Sequence, residues 1–78
     1  MNSNIAHIVY ASDDRFAEIL GVSLVSLYEN SKDMEDIVVY VLDSGIAEEN
    51  KNKLNSISVK YGRTQISWIP AQDISKVL

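Results

Sequence analysis

The sequence predicts an α/β fold in which three strands alternate with two helices. Residues 5–11 and 37–42 form nearly continuous apolar runs, and a segment with helical periodicity lies between them. Apolar runs without alternation are typical of parallel strands that are covered on both faces. The order strand–helix–strand–helix–strand corresponds to one mononucleotide-binding half of a doubly wound sheet.

The first strand and helix are predicted at residues 5–11 and 15–31. Phe16, Leu20, Leu24 and Leu27 recur at helical spacing and place an apolar stripe on one face. Gly21 lies inside this helix, where glycine costs about 1 kcal/mol relative to alanine. We interpret it as a site of close packing between helix and sheet.

The second half of the chain repeats the pattern. The run at 37–42 predicts a strand, residues 46–61 a helix and residues 65–69 a third strand that Pro70 stops. Glu48 and Glu49 suit the positive end of the second helix, and Gly62 suits the position after its last turn. Residues 72–78 are expected to begin a short helix or loop.

Right-handed crossovers place both helices on the same face of the sheet. Because the strands are apolar on both sides, we expect further sequence to cover the other face and to pair with the first strand. Residues 1–78 are therefore interpreted as a single partial domain of a larger protein.

Composition excludes several classes of function. The net charge is −4 and the seven basic residues are scattered, which argues against a nucleic-acid partner. The absence of cysteine excludes disulfides and thiolate metal sites. Neither a secretory signal nor an apolar run of about 20 residues occurs. We expect a cytoplasmic protein without a transmembrane segment, and peripheral attachment at the inner membrane face stays open.

Paired acids follow the first strand. Asp13 and Asp14 lie where open α/β sheets bind their ligands, at the carboxyl end of a strand. The same residues suit the N-cap of the helix that follows, a role worth about 1 kcal/mol. Position alone leaves ligand binding and capping open, and the two roles are compatible.

Three segments in this order resemble the N-terminal part of the family 8 glycosyltransferases. They are Ile-Val-Tyr-Ala-Ser-Asp-Asp at 8–14, Gly-Val-Ser-Leu at 21–24 and Val-Leu-Asp-Ser-Gly-Ile-Ala-Glu-Glu-Asn at 41–50. The resemblance implies a Rossmann-like GT-A nucleotide-diphospho-sugar transferase fold. It also implies transfer of a hexose from a UDP-sugar to an acceptor hydroxyl, as in lipopolysaccharide galactosyl- and glucosyltransferases and glycogenin relatives. Surface-glycan or lipopolysaccharide synthesis is the expected process.

The resemblance also implies a nucleotide site on the first turn. Ala11 and Ser12 would line the uracil through their backbone, Asp13 would accept the uracil N–H, and Phe16 would lie near the base. Arg15 stands where the family often has asparagine, and its longer side chain could reach hydroxyls or a phosphate. A second departure is Ala47, which stands where serine is frequent and leaves the second helix without that cap.

No residue is assigned a catalytic or metal-binding role. The family's aspartate–any–aspartate motif is absent from this chain, and it holds a divalent cation, Mn²⁺ or Mg²⁺, against the donor diphosphate. The metal is therefore expected to bind through downstream sequence, and these residues alone are expected to be inactive.

Two other functions compete with the transferase hypothesis. A non-catalytic nucleotide-binding or interaction module would have the same start. A receiver-type signalling domain also places acids after its first strand, and Asp43 would then be the phosphoacceptor. Asp43 follows the second predicted strand, however, whereas a receiver domain needs it after the third.

Overall fold

The computed structural model describes residues 4–73 and confirms the predicted α/β fold. All three strands are parallel and lie in the order β1-β2-β3. The elements are β1 (Ile5–Ser12), a first 3₁₀ turn (Asp14–Phe16), α1 (Ala17–Glu29), β2 (Asp36–Asp43), α2 (Glu48–Lys60), β3 (Ser67–Pro70) and a second 3₁₀ turn (Ala71–Asp73). That last turn begins the tail predicted at 72–78, of which residues 74–78 lie outside the described residues.

The element ends differ from prediction where side chains bind the backbone. The first helix was predicted from residue 15, but the chain there forms the 3₁₀ turn, and α1 begins only at Ala17. Asp13 caps this turn by accepting a hydrogen bond from the Arg15 N–H. The second helix begins at Glu48, two residues later than predicted, because Asp43 binds the Ile46 N–H in the preceding turn. Pro70 is the last residue of β3 and not the residue after it.

The core lies between the sheet and the two helices. The β2 residues Ile37, Val39 and Val41 are fully buried. They belong to one apolar cluster that also includes Leu24 of α1 and Leu54 of α2. This shared cluster confirms that both helices cover the same face of the sheet. Within the described residues the opposite face is open at β1.

The pairing register shows which β1 residues occupy that open face. Ala6 pairs with Ile37 and faces the helices, so the alternate residues Ile5 and Val9 face away. Their exposed fractions are 43% and 62%.

Gly21 contacts α2, not the sheet. A Cβ atom at this position would lie 3.4 Å from Leu54 Cδ2 and 3.7 Å from Ile57 Cδ1. The interpretation of helix–sheet packing was therefore wrong about the partner. The same helix pair is joined by the buried hydroxyls of Tyr28 and Ser58, whose oxygens are 2.7 Å apart.

No helix within residues 4–73 is both long and apolar enough to cross a membrane.

Candidate functional site

The predicted site residues lie together at the carboxyl edge of the sheet. β1 and β2 end side by side, with Ser12 paired to Asp43. The Ser44 N–H donates a 3.0 Å hydrogen bond to the Ser12 carbonyl and so joins the two turns that follow these strands. Residues 11–16 and 43–47 therefore form one continuous rim.

Asp13 is held by Arg15 through three hydrogen bonds. Its Oδ1 accepts the Arg15 backbone N–H at 2.9 Å, and its Oδ2 accepts Nε at 3.2 Å and Nη2 at 2.7 Å. A carboxylate has about four lone-pair sites, and besides these three bonds the backbone N–H of Phe16 also favours its charged form. The Asp13 side chain is 25% exposed, whereas that of Arg15 is 81% exposed. Asp13 is thus a cap whose carboxylate is still partly open to solvent.

The charge on Asp13 is favoured by the same contact. The side-chain hydrogen bond from Arg15 is the largest influence, and it lowers the pKa of the Asp13 carboxyl below its ordinary value. Asp13 is therefore ionised at neutral pH and can only accept hydrogen bonds. A ligand that forms a hydrogen bond with this carboxylate must present an N–H or O–H.

Ala11, Ser12 and Phe16 line a shallow pocket between the end of β1 and α1, together with Tyr10, Ile19, Leu20 and Ser23. The pocket has a volume of about 120 Å³, and the Phe16 ring at its rim is 51% exposed. The Ser12 side chain does not point at a ligand, because it is buried and its hydroxyl donates to the Asp13 carbonyl at 2.9 Å. Arg15 lies over the Phe16 ring, 5.6 Å from its centroid. The lining includes two aromatic residues, Tyr10 and Phe16, and the face of a planar base suits the exposed Phe16 ring.

Two other cavities lie between α1 and α2. Their volumes are about 210 and 620 Å³, and both are lined by Glu18, Gly21 and Ile57. Neither includes a residue of the rim at 11–16. We place the candidate site at the smaller pocket because the end of β1 and the exposed Phe16 ring meet there, next in the chain to Asp13.

Asp14 has a structural partner that the sequence did not reveal. Its Oδ1 accepts the Ala47 backbone N–H and the Asn50 Nδ2, each at 2.8 Å. Ala47 is the N-cap of α2 and makes no side-chain cap bond. Both hydrogen bonds lower the pKa of the Asp14 carboxyl, and the bond from Ala47 has the larger effect. The one sequence signal was the missing serine at Ala47, but nothing local identified Asp14 as the residue that compensates.

Asp43 is a structural residue. Its Oδ1 accepts the backbone N–H groups of Gly45 at 2.9 Å and Ile46 at 2.7 Å, and its Oδ2 pairs with Lys51 Nζ at 2.7 Å. Burial raises its pKa, but the hydrogen bonds from Lys51 and the two amides outweigh burial, so the net pKa is lowered. The side chain is 13% exposed, which disfavours the phosphoacceptor role of a receiver domain.

The described residues bring together no group of three or more His, Asp or Glu side chains able to share a metal ion. His7, on β1, contacts the Tyr40 hydroxyl at 3.3 Å from Nδ1 and stacks on its ring. The chemistry available at the rim is recognition of a ligand by hydrogen bonds and ring contact.

Comparison with known proteins agrees with this fold. The model of the family described as "Glycosyl transferase family 8" matches residues 7–76. General stress protein A of Bacillus subtilis (strain 168) is 40% identical over 58 residues, which are 74% of this chain and 20% of that protein. The chain thus spans about a fifth of the length of this curated relative. No solved structure matches the chain.

Proposed function

The chain belongs to glycosyl transferase family 8, and from this premise we propose that residues 11–16 bind the nucleotide of a UDP-sugar donor. The bound sugar would be a hexose that is transferred to an acceptor hydroxyl. The observation that carries the proposal is the ionised Asp13 carboxylate on the same rim as Ala11, Ser12 and Phe16, which line a pocket. It lies at the carboxyl end of a parallel strand, where open α/β sheets bind nucleotides.

Uracil suits this acceptor because its imide N–H lies in the plane of the ring. An ionised Asp13 can accept that N–H, whereas cytosine presents an acceptor nitrogen at the same position. Two acceptors facing each other leave both unpaired, and an unpaired buried polar group costs about 1–3 kcal/mol. We therefore expect UDP to bind at least about fivefold more tightly than CDP.

We propose that Arg15 binds the same nucleotide through the side-chain N–H groups that do not bond Asp13. A guanidinium carries five N–H groups, and Asp13 takes one from Nε and one from Nη2. Three stay available on an exposed side chain, within reach of the ribose hydroxyls or a phosphate. Arg15 would then replace the shorter asparagine that is frequent in the family.

The divalent metal of this chemistry does not fit the described residues, because they bring no three ligands together. We propose that Mn²⁺ or Mg²⁺ binds through other residues, and that nucleotide binding at the rim does not depend on it. A glycan acceptor, a role in surface-glycan or lipopolysaccharide synthesis, and a location in the cytoplasm or at the inner membrane face complete the proposal. The family resemblance supports these points.

Isothermal calorimetry with UDP tests the proposal. The wild-type chain, Asp13→Ala and the matched control Asp33→Ala would be titrated with and without Mn²⁺, after circular dichroism has shown that each is folded. We expect weak, metal-independent binding that Asp13→Ala abolishes and Asp33→Ala retains. A folded wild-type chain that does not bind UDP, or equal binding by Asp13→Ala, would overturn the proposed site. UDP binding without sugar transfer by the full-length protein would favour a non-catalytic nucleotide-binding module.

A further inference from the structure

We infer that Asp14 is a positioning residue of the nucleotide site. It anchors the turn that presents Asp13 to the start of α2, and it acts on nucleotide affinity without contacting the nucleotide. The inference rests on the proposed function of the rim.

The anchor joins two segments that are distant in sequence. Asp14 Oδ1 bonds Ala47 and Asn50, which lie 33 and 36 residues further along the chain. The first 3₁₀ turn is itself a weak structure, closed by a 3.2 Å bond from the Phe16 N–H to the Asp13 carbonyl. Short 3₁₀ turns have poor hydrogen-bond geometry and depend on their surroundings. Asp14 is the residue next to Asp13, and its hydrogen bonds attach this turn to the start of α2.

The start of α2 is shaped to receive this carboxylate. In a capping box, the side chain at the third helical position bonds the N–H of the N-cap residue. Here Asn50 occupies that third position but donates to Asp14, and Asp14 takes the N-cap N–H of Ala47 instead. A negative group at a helix N-terminus is also favoured by the helix dipole. The carboxylate of another element thus completes the cap.

The two neighbouring acids therefore have different partners. Asp13 bonds Arg15 within its own turn, and Asp14 bonds α2. Loss of the Asp14 contacts would free the peptide that links them, so the turn would have to be ordered again when nucleotide binds. Ordering one backbone residue lowers affinity by about five- to thirtyfold.

A purely structural role for Asp14 makes a different prediction. If Asp14 only stabilised α2, its loss would lower the melting temperature but leave the affinity of the remaining folded chain unchanged. Affinity measured well below the melting temperature separates the two roles.

The test compares Asp14→Ala, Asp14→Asn and Asp33→Ala in the full chain. Asparagine keeps an Oδ1 acceptor for Ala47 and Asn50, and Asp33 is an exposed acid outside the rim. The first readout is amide hydrogen exchange at Arg15, Phe16 and Ala47 without nucleotide, measured by NMR. The second is the UDP dissociation constant.

We expect Asp14→Ala to speed exchange at these three amides and to weaken UDP binding about five- to thirtyfold. Asp14→Asn and Asp33→Ala should stay within about twofold of wild type. If Asp14→Ala does not fold, Asn50→Ala removes one of the two donors and should give a smaller loss of the same kind. Wild-type affinity in Asp14→Ala, or in a folded Asn50→Ala where that variant replaces it, would overturn the inference. Absence of UDP binding by the wild-type chain would overturn the proposed function and this inference with it.

Discussion

Substitution of Tyr28 by phenylalanine should destabilise the chain through one buried hydrogen bond. Tyr28 and Ser58 are both 0% exposed, and their hydroxyl oxygens are 2.7 Å apart between α1 and α2. Burial is the main influence on the pKa of Tyr28 and raises it, so the hydroxyl is protonated throughout the neutral range. Phenylalanine would keep the ring in the core and leave the Ser58 hydroxyl without this partner.

The magnitude follows from the cost of an unpaired buried group. Leaving a buried hydroxyl unsatisfied costs about 1–3 kcal/mol, and a loss of 2 kcal/mol lowers the melting temperature of a domain this size by roughly 8–16 °C. Ser58→Ala should lower the free energy of unfolding by a similar amount, because it leaves the Tyr28 hydroxyl without its hydrogen-bond partner. In the double variant both polar groups are gone, so its cost should be well below the sum of the single variants.

Thermal and urea unfolding followed by circular dichroism would measure this cycle. Tyr40→Phe is the matched control, because the Tyr40 hydroxyl contacts His7 in an exposed position and its loss should stay within about 0.5 kcal/mol. Equal stability of wild type and Tyr28→Phe, or strict additivity in the double variant, would refute the reasoning.

Two further substitutions test local geometry and pH dependence. Gly21→Ala should raise the free energy of unfolding by up to about 1 kcal/mol, since the added Cβ would meet α2 at an ordinary contact distance of 3.4 Å. Gly62→Ala should lower it by about 1–2 kcal/mol, because the residue has φ +69°. Urea unfolding that found Gly62→Ala more stable than Gly21→Ala would contradict this. Hydrogen bonds from the Thr64 side chain and N–H lower the pKa of Asp36. Its stabilisation is therefore complete above the unfolded pKa of about 4 and lost as pH falls through the folded pKa. Between about pH 5 and 2, wild type should lose more unfolding free energy than Asp36→Asn, and parallel pH profiles would be inconsistent with this role.

The elements that could be predicted from the sequence are those specified by local apolar pattern. The ends of β1 and β2 were predicted to within one residue, because a continuous apolar run indicates a strand that packs against helices. Helix starts were displaced by two residues, since side chains of Asp13 and Asp43 hold the preceding backbone in turns. Such capping contacts depend on which rotamer an acid adopts, and composition does not specify that.

Contacts between distant residues were not predictable in the same way. A glycine inside a helix indicates a close neighbour, but the pattern cannot say whether that neighbour is the sheet or, as here, Leu54 of α2. Likewise the position of Asp14 suggested a ligand or a cap of its own helix, whereas its partners come from a helix that begins more than 30 residues later. The position of Asp13 could be predicted because its cap is formed within two residues.

The two positions where this chain departs from the family pattern lie opposite the two acids of the rim. Arg15 stands where asparagine is frequent, and it bonds Asp13; Ala47 stands where serine is frequent, and its N–H bonds Asp14. Arg15 adds side-chain donors to Asp13, whereas Ala47 offers Asp14 the backbone N–H that any residue except proline would offer. Arg15 donates to both oxygens of Asp13, through its backbone N–H and through its guanidinium. Ala47 removes a cap that a serine would form within α2, and Asp14 then closes that helix from the neighbouring turn. The turn that holds Asp13 and the start of α2 are thereby linked through two consecutive residues, Asp13 and Asp14.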